Sequence, residues 1–443
     1  IPACIVVLDK AGAPGRRGIF MIDSSKGYIK DGNKNRLRAQ DMHRIVDTFH
    51  RQLEQPRYSR MVPVAEIEAN DFNLNLPRYI DTSEPEDLQD IEAHLKGGIP
   101  DRVPYFDFVM SRRFIRHMTG EDPRLYRSEC VVPACLKAGI DAAWIPVRGF
   151  MGCEYTEGGS EEYTDEFGVA FRRTEASWPV NAPVNPVMRN ASGVRNYRYP
   201  AVGRDRADDV VAAVRRARGE IAVFAGIQGP LRTAWFLMGF ENLCLNLFDD
   251  LEGVRTLFAG AVEFNARLVE QLEGSGIDGI VISEDMGFAA GAYFSPEVFR
   301  DHVFPFQREL LQRARKLGVP VILHSDGNLN SIIDDLVAMG FDAYHPFERK
   351  AAMDIFSVRA RYPEAVLIGN LDSKSTLAEG DMARIRADAE ECIRKLGLKG
   401  RYVIASDHSI NDSIDPVTIL GLIEIVKAAG RYPLETGQPH PRP

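Results

Sequence analysis

The 443-residue chain holds only six cysteines (Cys4, Cys130, Cys135, Cys153, Cys244 and Cys392), and no two are spaced as a CxxC pair. Scattered thiols of this kind fit a reducing, cytoplasmic setting better than a disulfide framework or a Cys-rich zinc site. No apolar run approaches the ~20 residues that a membrane span requires, so no membrane partner is expected. No basic, then apolar leader with a small-residue cleavage site opens the sequence. It opens on Ile1-Pro2-Ala3, as a fragment or a processed product would. Gly152 and the Gly158-Gly159 pair form no GxGxxG cradle, no Walker sequence occurs, and there is no Gly-x-Ser-x-Gly elbow. Those gaps leave phosphate-cradling and serine-nucleophile chemistry without their usual motifs.

What is present is ordinary globular material, 45% hydrophobic and 26% charged, at a length that asks for two domains or one large barrel with an appendage. Charge is uneven. Residues 1–60 carry twelve Lys/Arg against six Asp/Glu, so a chain of net charge −9 concentrates its acidity further on. An acidic body argues against nucleic-acid binding there. The basic opening permits DNA contact through residues 1–100 alone, although a charge run is usually a solvated face.

The first hundred residues read as a small α/β piece. Ala3–Leu8 and Gly18–Ile22 suit strands, Lys26–Lys34 an exposed loop, and Val62–Ile67 a third strand. Arg38–Leu53 places Met42, Ile45, Val46, Phe49 and Leu53 at helical spacing. The acidic, Pro-punctuated Asp81–Asp90 marks a boundary, and the piece ends near residue 100. From 101 the pattern becomes strand, then helix, repeated. Eight apolar runs qualify as strands: Val103–Phe108, Ala142–Val147, Ile221–Gln228, Gly279–Glu284, Pro320–His324, Ala343–Phe347, Ala365–Asn370 and Tyr402–Ser406. Ser295-Pro296 and Asp415-Pro416 each set a capping side chain before a Pro at the first helical position. The expected fold is α/β, a (β/α)8 TIM barrel over 101–443 preceded by the small α/β fragment, with an open doubly wound sheet as the alternative. Residues 150–205 break the rhythm and read as an insertion, a lid or a partner surface.

Barrel chemistry comes from the C-terminal ends of strands, and these ends are polar. Asp107, Gln228, Glu284 and Asp285, then His324, Ser325 and Asp326, then Glu348, Asn370, Asp372, Asp407 and His408 close successive strands. Carboxylates and imidazoles gathered in one cavity suit a metal or acid–base work. The plainer reading is that Asp372 and Asp326 only cap helices. Glu284 and Asp285 point in opposite directions on a strand, and Asp285 lies nearer the mouth. Trp235, Phe236 and Phe240 fit core packing, and Arg112, Arg113 and Arg116 a solvated helix face.

Val281–Gly287 (VISEDMG), Ser295–Arg300 (SPEVFR), His302–Pro305 (HVFP), His324–Asn328 (HSDGN), Gly340–Glu348 (GFDAYHPFE) and Ile404–Ile410 (IASDHSI) resemble the uroporphyrinogen decarboxylase superfamily in order and spacing. That resemblance implies one of two chemistries. One is cofactor-free decarboxylation of porphyrinogen acetates. The other is methyl transfer between a small molecule and a corrinoid or thiol, usually aided by zinc. The decarboxylase Arg-Gln-Ala-Gly-Arg string is replaced here by Phe108–Phe114 (FVMSRRF). The methyltransferase His-x-Cys and later Cys are replaced by His324, Asp326 and Asp407 or His408, a harder donor set.

The leading expectation is therefore metal-assisted methyl transfer from a small methylated substrate. Zinc would be held among His324, Asp326, Glu348, Asp407 and His408. Asp285, Asp107 and His324 would be catalytic, and Gln228, Glu284, Asn370 and Asp372 would bind substrate. A corrinoid-carrying partner protein is the implied acceptor, and a homodimer is compatible with the resemblance. The rivals are metal-independent decarboxylation, with protonation by Asp107 or Asp285, and a non-catalytic DNA-associated role. The last rests on Ile1–Lys10 (IPACIVVLDK), Gly32–Arg38 (GNKNRLR) and Asn70–Tyr79 (NDFNLNLPRY). These resemble the rear part of a type I restriction N6-adenine DNA methyltransferase subunit, without its Gly-rich loop or Asn-Pro-Pro-Phe/Tyr string.

Overall fold

The computed structural model describes Val7, Arg16, residues 18–25, 29–31, 34–55, 58–70, 72–74, 76, 79–80 and 90–434, the last range without 156, 157 and 159. The chain divides into two compact units, 1–87 and 88–443.

In the first unit Gly18–Ile22 pairs antiparallel with Ser59–Pro63, Gly18 opposite Pro63. Met21 and Val62 from this pair bury with Ile67, Tyr79 and Ile80 as a small core. The amphipathic run forms a helix at Ala39–Arg51, opened by a reciprocal Arg38–Asp41 cap. Its apolar face stays open: Met42, Val46 and Phe49 are all exposed. Two expectations are corrected. Val62–Ile67 is not one strand, because the strand ends at Pro63 and a helix, Val64–Ala69, starts there. Proline has no N–H to continue a ladder but is tolerated at a helix start. Within the expected loop Lys26–Lys34, Ile29–Asp31 pairs with Lys34–Arg36; strands of three residues are too short for an alternating pattern to be read. Apart from Val7, the strand expected at Ala3–Leu8 lies outside the described residues, as does the boundary at Asp81–Asp90 apart from Asp90.

The second unit is a parallel barrel. Seven strands lie side by side in sequence order: β1 (Ala142–Pro146), β2 (Ala222–Gln228), β3 (Gly279–Ser283), β4 (Val321–His324), β5 (Ala343–His345), β6 (Val366–Ile368) and β7 (Tyr402–Val403). Every neighbouring pair is parallel. Every residue of all seven strands is buried. Burial on both faces is why these strands read as unbroken Val/Ile/Leu/Ala runs rather than alternating ones.

The eighth strand, expected at Val103–Phe108, is present only as a set of single bridges. Phe106 bridges to Ala142 of β1, Tyr105 to Ile404, and Val109 to Ile410, all parallel. The segment thus occupies the gap between β1 and β7 and closes the ring. Pro104 offers no N–H to a ladder, although its carbonyl accepts from Ile404 N at 2.9 Å. At the base, Arg102 and Asp141 form a bidentate pair, 2.8 and 2.7 Å, and Asp141 also accepts Tyr105 N at 2.7 Å. Both side chains are under 7% exposed. Phe106 packs edge-on to Phe224 and Phe108 against Trp144, filling the interior below the mouth.

Between β1 and β2 the irregular stretch carries a three-stranded antiparallel flap, Glu162–Thr164, Ala170–Arg172 and Ala182–Asn185. Helix Arg112–Thr119 puts Arg112 and Arg116 on Asp122 and Arg113 on Asp415, a surface arrangement. No described helix is long and apolar enough to cross a membrane.

Candidate metal centre

Two neighbouring strand ends bring three side chains to one point at the barrel mouth. Asp285 follows β3, His324 ends β4, and Asp326 lies two residues further. One ligand atom from each lies within 4.8 Å of the others. His324 Nε2 is 3.9 Å from Asp285 Oδ1 and 3.7 Å from Asp326 Oδ2. The remaining Asp326 oxygen, Oδ1, and Asp285 Oδ1 are buried without a hydrogen-bond partner. A buried carboxylate oxygen without a donor is costly, so this geometry invites a cation.

Electrostatics prepare the ligands. Burial lowers the pKa of His324, against the pull of Asp326 and Asp285, so its imidazole is neutral and able to coordinate. Its Nδ1 lies 2.8 Å from Nδ1 of His345. Burial, then His324, hold His345 well below the ordinary histidine value. Two neutral rings facing through Nδ1 need one donor and one acceptor. If His324 donates, its Nε2 is left with a lone pair toward the two carboxylates, the arrangement that orients metal-binding histidines elsewhere. Burial by itself would raise Asp326, but His408, His324 and His345 together keep it well below the carboxylate range. His408, partly exposed at the rim, places Nε2 3.3 Å from Asp326 Oδ2, and that carboxylate raises it to about 9.

The other sequence candidates surround this point without reaching it. Glu348 accepts Gly327 N at 3.2 Å and pairs with Lys374 at 2.5 Å, so it braces the loop that carries Asp326. Asp407 accepts Ser373 N, Ser373 Oγ and Arg349 N at 2.8, 2.7 and 3.0 Å. Asp372 accepts Lys374 N and Ser375 N and sits 3.3 Å from Lys350. Gln228 clasps Met151 by its backbone N and O. Asn370 donates to Phe347 O, leaving its own Oδ1 buried and unpaired. Glu284 turns to the start of helix Pro230–Met238 and accepts Leu231 N and Arg232 N, with burial pushing its pKa up to about 8. Asp107 is closed in by Ser406 and Tyr105, and burial raises it to about 6.

Two residues were not singled out from sequence. His345 ends the apolar run Ala343–His345, three residues before Glu348; the imidazole after an apolar pair was the signal. Arg232, in the first turn of helix Pro230–Met238, pairs with Asp285, and nothing local distinguishes it from any helical arginine.

Residues 164–429 match the family described as uroporphyrinogen decarboxylase (URO-D). The chain belongs to that family. Within the uroporphyrinogen decarboxylase family it is 25% identical over 255 residues to the uroporphyrinogen decarboxylase of Anaeromyxobacter dehalogenans, covering 56% of this chain and 70% of that protein. It is also 25% identical over 313 residues to the methylcobamide:CoM methyltransferase MtaA of Methanosarcina barkeri, covering 66% and 80%. A solved methyltransferase from Methanosarcina mazei superposes with a TM-score of 0.61 at 18% identity, over 76% of this chain and 97% of that one, which establishes the barrel fold. Residues 1–88 match N-6 DNA methylase. There the chain is 32% identical over 110 residues to the HindI methylase subunit of Haemophilus influenzae, covering 22% of this chain and a quarter of that protein.

Proposed function

We propose that the barrel transfers a methyl group from a small methylated substrate to a corrinoid or thiol acceptor, with zinc held by Asp285, His324 and Asp326. The observation that supports this reading is the convergence of a neutral imidazole with two carboxylates, each of which keeps one buried oxygen without a donor. Two oxygen donors and one nitrogen, without thiolate, fit zinc and also admit manganese or iron. When bound, the metal would supply Lewis acidity toward the heteroatom that gives up or receives the methyl group. The chain's own residues do the rest. His345 fixes the His324 ring and its tautomer. His408 neutralises Asp326 from the rim, with Nε2 toward that carboxylate and Nδ1 2.7 Å from Ser409 Oγ. Glu348, through Gly327 N, keeps the Asp326 loop in place. Residues 101–443 would carry this chemistry, and 1–100, which lack a methylase catalytic string, would not methylate adenine.

Metal content after purification, together with methyl exchange between a methylated cobamide and a small thiol, tests the proposal. The expected result is stoichiometric zinc, with affinity reduced on the order of 100-fold or more in His324→Ala. Wild-type protein that binds no divalent metal would remove the mechanism. Porphyrinogen turnover in the presence of chelator would replace it with decarboxylation.

A further inference from the structure

Ser325 stands between His324 and Asp326, and the scheme above gives it no task. It is buried, and its backbone N donates to His345 O at 3.1 Å. It shares a cavity wall with Leu323, two residues back, as alternate residues of a strand do. Its Oγ accepts Met286 N at 3.1 Å and donates to Asp326 O at 3.3 Å. Met286 is the residue after Asp285 and is itself fully buried.

The candidate metal centre is carried by two stretches of backbone, 284–288 after β3 and 324–328 after β4. Beyond the strand ladder, Glu284 N donates to His324 O at 2.9 Å and Asn328 N to Phe288 O at 2.8 Å. Both are backbone pairs, open to any side chain. The bond from Met286 N to Ser325 Oγ lies between them in sequence and depends on a hydroxyl. One of its ends adjoins Asp285 and the other adjoins Asp326, whose ligand atoms must come within 4.8 Å of each other. Without the hydroxyl, the N–H of a fully buried residue loses its acceptor, and a buried donor without a partner is costly. The two stretches would then move apart until that N–H finds another partner.

We propose that Ser325 is a positioning residue of the metal centre: its hydroxyl sets the spacing of Asp285 and Asp326 by clasping the backbone beside one to the backbone beside the other. This rests on the metal reading above and assigns the geometry of the site to a group that touches no metal. The clasp needs a hydroxyl rather than a serine. A cavity of about 20 Å³, lined by Leu323, Ser325, Ile333, Leu336 and Tyr344 among others, adjoins the site. That space holds a group the size of a water molecule, and so the extra methyl of a threonine. Threonine should therefore keep the clasp, and alanine should lose it.

The experiment compares full-length wild type with Ser325→Ala, Ser325→Thr and Ser128→Ala. Ser128 is an equally buried hydroxyl, but its partners are Asp209 and Arg216 rather than either metal-bearing stretch. Three quantities are read: zinc affinity by chelator competition, the visible absorption of the cobalt(II)-loaded protein, and the urea midpoint without metal. Ser325→Ala should bind zinc about 10- to 100-fold more weakly, the loss typical of a group that orients metal ligands, and its cobalt spectrum should change. Ser325→Thr should recover most of the affinity and the wild-type spectrum. Ser128→Ala should lower the urea midpoint while leaving zinc affinity and the cobalt spectrum as in wild type. Wild-type affinity and spectrum in Ser325→Ala overturn the proposal and leave the metal reading standing. An equal loss of affinity in Ser128→Ala overturns it too, since the loss would then follow from general destabilisation. So does a folded Ser325→Thr that binds zinc no better than Ser325→Ala. Wild type that takes up no zinc overturns both readings.

Discussion

Gly327 offers a sharp test of how the carboxylates are held. It follows Asp326 directly and has φ +85°, a conformation that costs a side-chain-bearing residue about 1–2 kcal/mol. A Cβ there would lie 2.9 Å from Gly287 Cα and closer still to that residue's carbonyl. Both obstacles are backbone, so no rotamer change can relieve them, and forced overpacking adds about 1–3 kcal/mol. Gly327→Ala should therefore cost about 2–5 kcal/mol in total. The strain falls on the place where the Asp326 loop meets the segment after Asp285, because Asn328 N also donates to Phe288 O at 2.8 Å. Moving either side separates Asp285 from Asp326. Urea unfolding would read the stability loss as a lower midpoint, and chelator competition would read zinc affinity, which should fall by about tenfold or more. Gly291→Ala is the control: Gly291 pairs with Phe288 in the short hairpin that Gly327 abuts, has nothing within 4 Å of an added Cβ, and should change stability by less than about 0.5 kcal/mol. A Gly327→Ala protein with the wild-type urea midpoint and wild-type zinc affinity would refute the reasoning.

Glu284 makes stability depend on pH. Its folded-state pKa is raised from 4.5 to about 8 by burial, so the folded state holds the proton more tightly than the unfolded one. Its own contribution to stability should be fully present below pH 4.5 and decline by up to ~1.4 kcal/mol per pH unit as pH rises toward 8; denaturant titrations of wild type and Glu284→Gln should differ by that slope, and identical slopes would count against the assignment. Arg102→Met removes the bidentate cation from the buried Asp141 carboxylate and should lower unfolding free energy by about 3–5 kcal/mol, with much of the loss recovered when Asp141→Asn is added. Chain from Leu88 onward, expressed alone, should fold and bind zinc as the whole protein does, because it holds the entire parallel sheet and its core; aggregation or loss of zinc would contradict this.

The barrel was legible because a strand buried on both faces has no choice but to be apolar, and because chemistry at strand ends leaves polar residues just where each run stops. His324 and Asp326 could be found that way. Pattern alone could not show how the remaining polar ends are used. Asp407 looks like a ligand in sequence and Asp372 like a substrate-binding group, yet in space both accept backbone N–H groups that turning loops leave over. Glu348 is a brace one loop removed. His345 was missed because its role comes from a ring on the neighbouring strand, opposite His324 in register, and register is set by hydrogen bonding that a single run does not encode. Val62–Ile67 failed because apolar content was read across Pro63, where the backbone has to change conformation.

The closing segment has a consequence for how the molecule is made. Strands β1 to β7 can be laid down in the order in which they leave the ribosome, each beside the last. Residues 103–109 cannot, since their partners include Ile404 and Ile410, and Asp107 waits for Ser406, 299 positions later. Until the final strand emerges, the oldest part of the hoop stays unlatched and a carboxylate destined for the interior remains wet. Long-range closure of this kind is slow because its loop entropy must be lost before any contact compensates. A nascent barrel of this chain thus spends nearly its whole synthesis as an open scroll with two bare edges.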